Sequence, residues 1–381
     1  MLDNLCEELM VEILTRLPPK SLLRFRSVSK SIRACIDSPG FIRKHTCRSP
    51  QRLVLIHVLY NKYLQENGDA LFCTLHAQDQ LPLPLCGGYI GITPLQYPRR
   101  KASLIGFCNG IFLLFGYENG VISLWNPSIK RLLTLPACPR RLIYGLGYGL
   151  GFDPMTDDNK VVSIPANGNT RILESSFVYA TKTGAWHPID SRMPLYSRVL
   201  SRACYLNGVL HWVVGCCFPD SEDIQFHYIM TFDLSTHVFG IIDLPKPSWL
   251  TQQLQIIQGS LAVLSGNDSD VDTWIWVRNR RDAYADSSWS LVLKSETIKA
   301  EKGVRKALEL TNNGDLLLDA FWEGFRVYSP KTGALLTLME FNHTSALLDM
   351  DTYVETLELL HMGTACQEPN PLFLQATSSL K

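Results

Sequence analysis

Apolar positions in the first fifty residues recur at spacings of three and four, and from residue 52 onward they bunch into short runs separated by turn formers. Leu5, Leu9, Ile13, Leu14 and Leu17 share one helical face, and Asn4 with Glu7 suits a capped helix start. Pro18 ends that helix, because the residue before a proline is pushed out of the α region. Pro19 can open the next one, where its missing N–H costs nothing. Leu22, Leu23 and Phe25 are the apolar positions of this second helix. Ser29 is placed to cap a third, with Ile32, Cys35 and Ile36 at helical spacing, and Ser38-Pro39-Gly40 is expected to stop it. The pattern therefore predicts three short helices. So small a head buries little surface alone. Its leucines must be covered by the rest of the chain or by a groove on another protein.

The second pattern is strand-like. RLVLIHVLY (52–60) and ALFCTLH (70–76) are runs of β formers bounded by turn residues. Leu81-Pro82-Leu83-Pro84 and Gly87, Gly88 and Gly91 mark a loop. A loose repeat follows. Ile105–Pro136 runs through Asn109-Gly110, an apolar strand, Asn119-Gly120, a strand ending Trp125-Asn126-Pro127, and a strand closing on Leu135-Pro136. The order returns in Ala203–Pro245, with Asn207-Gly208, Phe232-Asp233 and Leu244-Pro245 as counterparts, and again in Leu310–Leu338. A unit of roughly 40–50 residues with three or four strands is the signature of propeller blades, each of which needs neighbours on both faces. The expected architecture is mainly β: three helices over residues 1–45, then a propeller-like body of about six blades over 46–381. An irregular β-sandwich is the alternative.

Composition narrows the chemistry. The chain has 381 residues with 36 basic and 36 acidic side chains, but residues 1–50 hold nine Lys/Arg against five Asp/Glu. That local excess suits a docking surface for an acidic protein better than nucleic acid, because the body is acidic and has no basic stripe. The eleven cysteines include no CxxC, which suits reduced thiols in the cytoplasm or nucleus. No run of 18 apolar residues suggests a membrane span, and Glu7, Glu8 and Glu12 interrupt any signal-like core.

Catalytic and cofactor motifs are weak. Gly145, Gly147, Gly149 and Gly151 alternate but lead into Phe152-Asp153-Pro154 rather than a helix start, so close packing is the better reading than phosphate binding. Asp268, Asp270 and Asp272 lack the glycine and the final glutamate of a calcium loop. The dispersed histidines show no metal-ligand spacing, and His211 reads as a strand residue with a satisfied hydrogen bond. No nucleophile elbow exists. Trp274-Ile275-Trp276 reads as a strand of core and edge aromatics. No catalytic residue, metal or cofactor is expected.

The head LCEELMVEILTRLPPKSLLRFRSVSKSIRACI resembles the plant form of the F-box. The match lies in Leu5, Glu8-Leu9, Glu12-Ile13-Leu14, Arg16-Leu17-Pro18, Lys20-Ser21-Leu22-Leu23, Phe25-Arg26, Val28 and Lys30. Cys6 stands where such motifs usually carry proline, and Ile32 where many carry tryptophan. GFCNGIFLL, WNPSIKRLLTLP, LNGVLHW, FDLSTHVFGIIDLP and TYVETLELL resemble the F-box-associated domain that follows in a large plant family. This resemblance implies docking on a Skp-family adaptor and, through it, a cullin. Leu5, Leu9, Ile13, Leu14, Leu17, Pro18, Leu22 and Leu23 would serve as apolar anchors. The body would hold an unidentified target protein for ubiquitination and proteasomal degradation. The chain would supply proximity rather than bond chemistry. The alternatives are a propeller enzyme with a polar constellation on its axis, and a binding protein that does not degrade its target.

Overall fold

The computed structural model describes residues 7–59, 70–77, 95–96, 102–116, 119–139, 145–165, 175–217, 224–245, 251–257, 259–266, 273–278, 289–294, 306–309, 315–319, 325–339, 345–362 and 364–365. Four helices open it: α1 (Glu7–Leu14), α2 (Pro19–Phe25), α3 (Lys30–Ile36) and α4 (Pro39–Arg48). The two prolines act as the sequence implies, with Pro18 extended at the α2 N-cap and Pro19 at its first turn. Ser29 caps α3 by accepting from the Ile32 N–H at 3.2 Å.

The fourth helix corrects the three-helix expectation. Ser38 accepts from the Phe41 N–H at 3.2 Å, and Pro39 opens α4. The Ser-Pro pair that reads as a stop signal is equally an N-cap followed by an N1 proline. Arg26 closes the α2–α3 corner with two bonds to the Asp37 carboxylate, at 2.6 and 3.0 Å. Burial works against the Asp37 charge, but Arg26 outweighs it and the pKa stays below its ordinary value.

Six antiparallel sheets follow among the described residues. Blade 1 joins Gln51–Leu59, Ala70–Ala77 and Leu95–Gln96 to Ser345–Val354 from the far end of the chain. Blade 2 holds Ala102–Cys108, Ile111–Gly116, Ile122–Asn126 and Arg131–Thr134, with Thr364–Ala365 added outside. Blade 3 spans Tyr148–Ile189, blade 4 Arg198–Ile242, blade 5 Thr251–Lys294 and blade 6 Lys306–Met339. The first strands of blades 2 and 3 touch. Blades 3 to 6 then meet in succession, and Lys306–Glu309 meets Ser345–Val354. This is a radial ring, the expected propeller rather than the sandwich. Each sheet has two apolar faces, and a neighbour on either side covers both. At the closure Tyr353 stacks on Phe112, ring centroids 5.8 Å apart.

The repeated turns and the glycine run have clear physical roles. Asn109-Gly110 and Asn207-Gly208 both take positive φ at both residues, the geometry a tight hairpin demands. A Cβ on Gly149 would lie 2.8 Å from Ala203 Cβ and Trp212 Cζ2, and one on Gly151 2.5 Å from Leu234 Cδ1. These glycines let blade 4 press against blade 3, the close-packing role expected of them. The buried Lys160 ammonium ties the same blades together, donating to Asp153 Oδ2 at 2.7 Å and to the Leu234 carbonyl at 2.8 Å. The expected 81–91 loop lies outside the described residues, as do Asp268, Asp270 and Asp272. In Thr273–Arg278, Ile275 is fully buried between the half-buried Trp274 and Trp276.

Candidate functional site

The eight anticipated anchors of the head separate into distinct environments. Leu5 lies outside the described residues. Leu9 is 54% exposed and Ile13 51% exposed. They are four residues apart on α1, so they sit one above the other on its outer face. Pro18 is exposed at the corner before α2. Leu17 and Leu23 are half-buried against the head core. Leu14 and Leu22 are buried inside it, together with Ile32, Ile36, Phe41 and Ile42. Grouping all the leucines on one face missed this division, because α1 carries apolar side chains on both its inner and its outer side. Met10, Val11 and Leu14 face inward, while Leu9 and Ile13 face out. Val28, 59% exposed beyond α2, belongs to the outward set. Its signal in the sequence is an apolar side chain stranded between Ser27 and Ser29.

The head core is shared with the propeller. Ile129, Leu357 and Leu360 complete the cluster around Leu14 and Leu22. Polar ties surround it. Thr46 and Thr356 hydroxyls meet at 3.0 Å, and Arg43 pairs with Asp157. Asn126 donates to the carbonyls of Thr356 at 3.0 Å and Glu358 at 2.7 Å, fixing the segment that carries Leu357 and Leu360. Within the head, Glu12 gathers Arg48, Arg16 and Lys44. Its pKa falls to about 2, chiefly through the Arg48 bond and then that of Arg16. The α1 outer face is therefore held in a fixed pose relative to the body.

A concave site lies where the inner strands of the blades meet the head. A cavity of about 880 Å³ is lined by inner-strand residues of blades 2 to 5, by Val354 and Glu358, and by Arg43, Thr46, Cys47 and Ser49 from α4 and its end. Sequence reading missed it, since its walls come from stretches two hundred residues apart and carry no common motif. Glu358 is raised above its ordinary pKa by burial and by the nearby Asp157 and Asp158. Tyr205, also on the wall, is pushed up to about 12 by burial and then by Cys108. His211 is held as a neutral strand residue. Its Nδ1 lies 3.2 Å from the Cys204 carbonyl, and burial brings its pKa to about 4. Among the described residues, no group of three or more His, Cys, Asp or Glu is placed to hold a metal ion.

Comparison with known proteins is consistent across both parts of the chain. A family model described as "F-box domain" matches residues 2–44, and one described as "F-box associated beta propeller domain" matches residues 66–320. A putative F-box protein of Arabidopsis thaliana is 28% identical over 251 residues, covering 64% of this chain and 63% of that protein. Another Arabidopsis F-box protein is 28% identical over 323 residues, covering 82% and 77%. An Arabidopsis F-box/kelch-repeat protein is 24% identical over 387 residues, covering 93% and 95%. Against the first of these relatives, the match spans a little under two thirds of the relative's length.

Proposed function

The chain belongs to the plant F-box proteins that carry an F-box-associated β-propeller, and from that premise we propose that it is the substrate-recognition subunit of a Skp–cullin–F-box ubiquitin ligase. The observation that carries this reading is the division of the head. Leu14 and Leu22 anchor it to the propeller, while Leu9 and Ile13 stay half exposed one turn apart. An apolar helical face with no partner among the described residues suits a helix-in-groove contact with a Skp-family adaptor. The rigid head–body junction matters for the same task. A non-catalytic receptor works by holding a target lysine near a ubiquitin donor, and a loose junction would dilute that proximity. The target is a protein held by the propeller. Cys47, Cys108 and Cys138 take part in no disulfide, which accords with work in the reducing cytoplasm or nucleus.

The test is co-purification of the full chain with a Skp-family adaptor, wild type against a Leu9→Asp/Pro18→Ala double variant. The wild type is expected to retain the adaptor and the variant to lose it. Equal retention by both would remove the docking face from the proposal. Target half-life with and without proteasome inhibition then separates degradation from simple binding.

A further inference from the structure

Exposed apolar and cationic side chains interleave along the head: Leu9 and Ile13 on α1, Lys20 and Arg24 on α2, then Val28 and Lys30. Lys20 and Arg24 are four residues apart, so they share one face of α2, and the opposite side carries the buried Leu22. The other cations of the head are matched. Arg16, Lys44 and Arg48 gather on Glu12, Arg26 and Arg33 on Asp37, and Arg43 on Asp157. Lys20, Arg24 and Lys30 meet no carboxylate among the described residues. Glu8 is exposed at the start of α1 and pairs with none of them. Unmatched cations interleaved with unmatched apolar side chains call for one partner with both chemistries: a groove for the apolar set and carboxylates on its rim.

We propose that Lys20, Arg24 and Lys30 form the ionic half of the docking face and recognise an acidic rim beside the adaptor's apolar groove. This rests on the docking reading above, and adds to it the charge of the partner and the residues that read it. The two halves do different work. Leu9 and Ile13 leave water on contact, so they govern how long the complex lasts. Rim charges act before contact, over a Debye length of about 10 Å at ~0.1 M salt, and speed the encounter. They also discriminate between partners. Among adaptors with the same apolar groove, one whose rim lacks carboxylates gains no steering, and one with a basic rim is repelled.

The experiment measures association and dissociation rates of the full chain with a purified Skp-family adaptor, from about 0.05 to about 0.5 M salt. Wild-type association is expected to slow about tenfold across that range, while dissociation changes by less than about twofold. In Lys20→Gln/Arg24→Gln, association at low salt should fall about fivefold, the loss of two exposed charge contacts, and converge on wild type at high salt. Lys20→Arg/Arg24→Lys should keep the wild-type rates, because charge rather than shape is read. Both positions are exposed, so these variants leave the head core untouched, and the wild-type salt profile decides even if one fails to fold. Salt-independent association of the wild type overturns the proposal. So does a glutamine variant that associates as wild type does, or one whose loss lies in the dissociation rate. In each of these cases a complex still forms, so docking stands and the ionic rim falls. If no complex forms at any salt, the docking reading falls and the rim with it.

Discussion

Two substitutions a few residues apart should separate what the head needs to fold from what it needs to dock. Leu22 is fully buried in the cluster shared by α1–α4, Ile129, Leu357 and Leu360. Leu22→Ala leaves a cavity there and should cost about 2–5 kcal/mol. That loss should appear as faster hydrogen exchange throughout α1–α4, because the head opens as a unit. Ile13 is 51% exposed. Full burial of such a side chain is worth roughly 1.5–3 kcal/mol, so its open half offers a partner about 1 kcal/mol. Ile13→Ala should weaken adaptor binding by about fivefold. Ile13→Asp also places a carboxylate in an apolar contact, adding a penalty of several kcal/mol, and the loss should exceed about 100-fold. Neither Ile13 variant should alter exchange in the head beyond about 0.5 kcal/mol. The assay is calorimetric titration with a Skp-family adaptor, paired with exchange measured on the free chain. If Ile13→Asp bound the adaptor as wild type does, or loosened the head as much as Leu22→Ala, the division into inner and outer faces would be wrong.

Further outcomes concern the propeller and its contacts with the head. Gly149→Ala drives a methyl to within 2.8 Å of Ala203 and Trp212 and should destabilise the body by about 1–3 kcal/mol through overpacking; an unfolding midpoint equal to wild type in urea would contradict that. His211 has a folded pKa of about 4 against an ordinary 6.5. The unfolded chain therefore binds the extra proton first, and stability falls as pH drops from 6.5 toward 4, by on the order of 3 kcal/mol from this residue. The difference between wild type and His211→Leu should carry that slope, and parallel curves would refute it. The Glu12 contribution disappears in a separate window, between 4.5 and about 2. Asn126→Asp replaces a donor to two carbonyls with a third acceptor, so residues 355–360 should become labile to limited proteolysis, and an unchanged cleavage pattern would count against the anchoring role.

Much of this was legible in the chain because it rests on local chemistry. Pro18-Pro19 dictates a break and a restart through fixed φ and a missing N–H. Asn109-Gly110 and Asn207-Gly208 dictate hairpins because both positions must reach positive φ. The alternating glycines before Phe152 imply a close approach, whatever approaches. The docking motif of the head is likewise a local pattern of helix-face residues. The limits were also physical. Ser38-Pro39 has the same local energetics as a stop and as a start, and only the burial of Phe41 and Ile42 against the head core selects the start. Helical spacing places leucines on faces but does not say which face meets the propeller. That choice depends on Ile129, Leu357 and Leu360, which arrive through ring closure. The cavity is further still from the sequence. It exists because inner strands from blades 2 to 5 converge beside the head, and neither Asn159 nor Glu358 carries a local mark of facing the other. Periodicity and turn chemistry determined the helical head and the repeated blades; which side chains end up open to a partner, and which enclose a cavity, was decided by long-range packing.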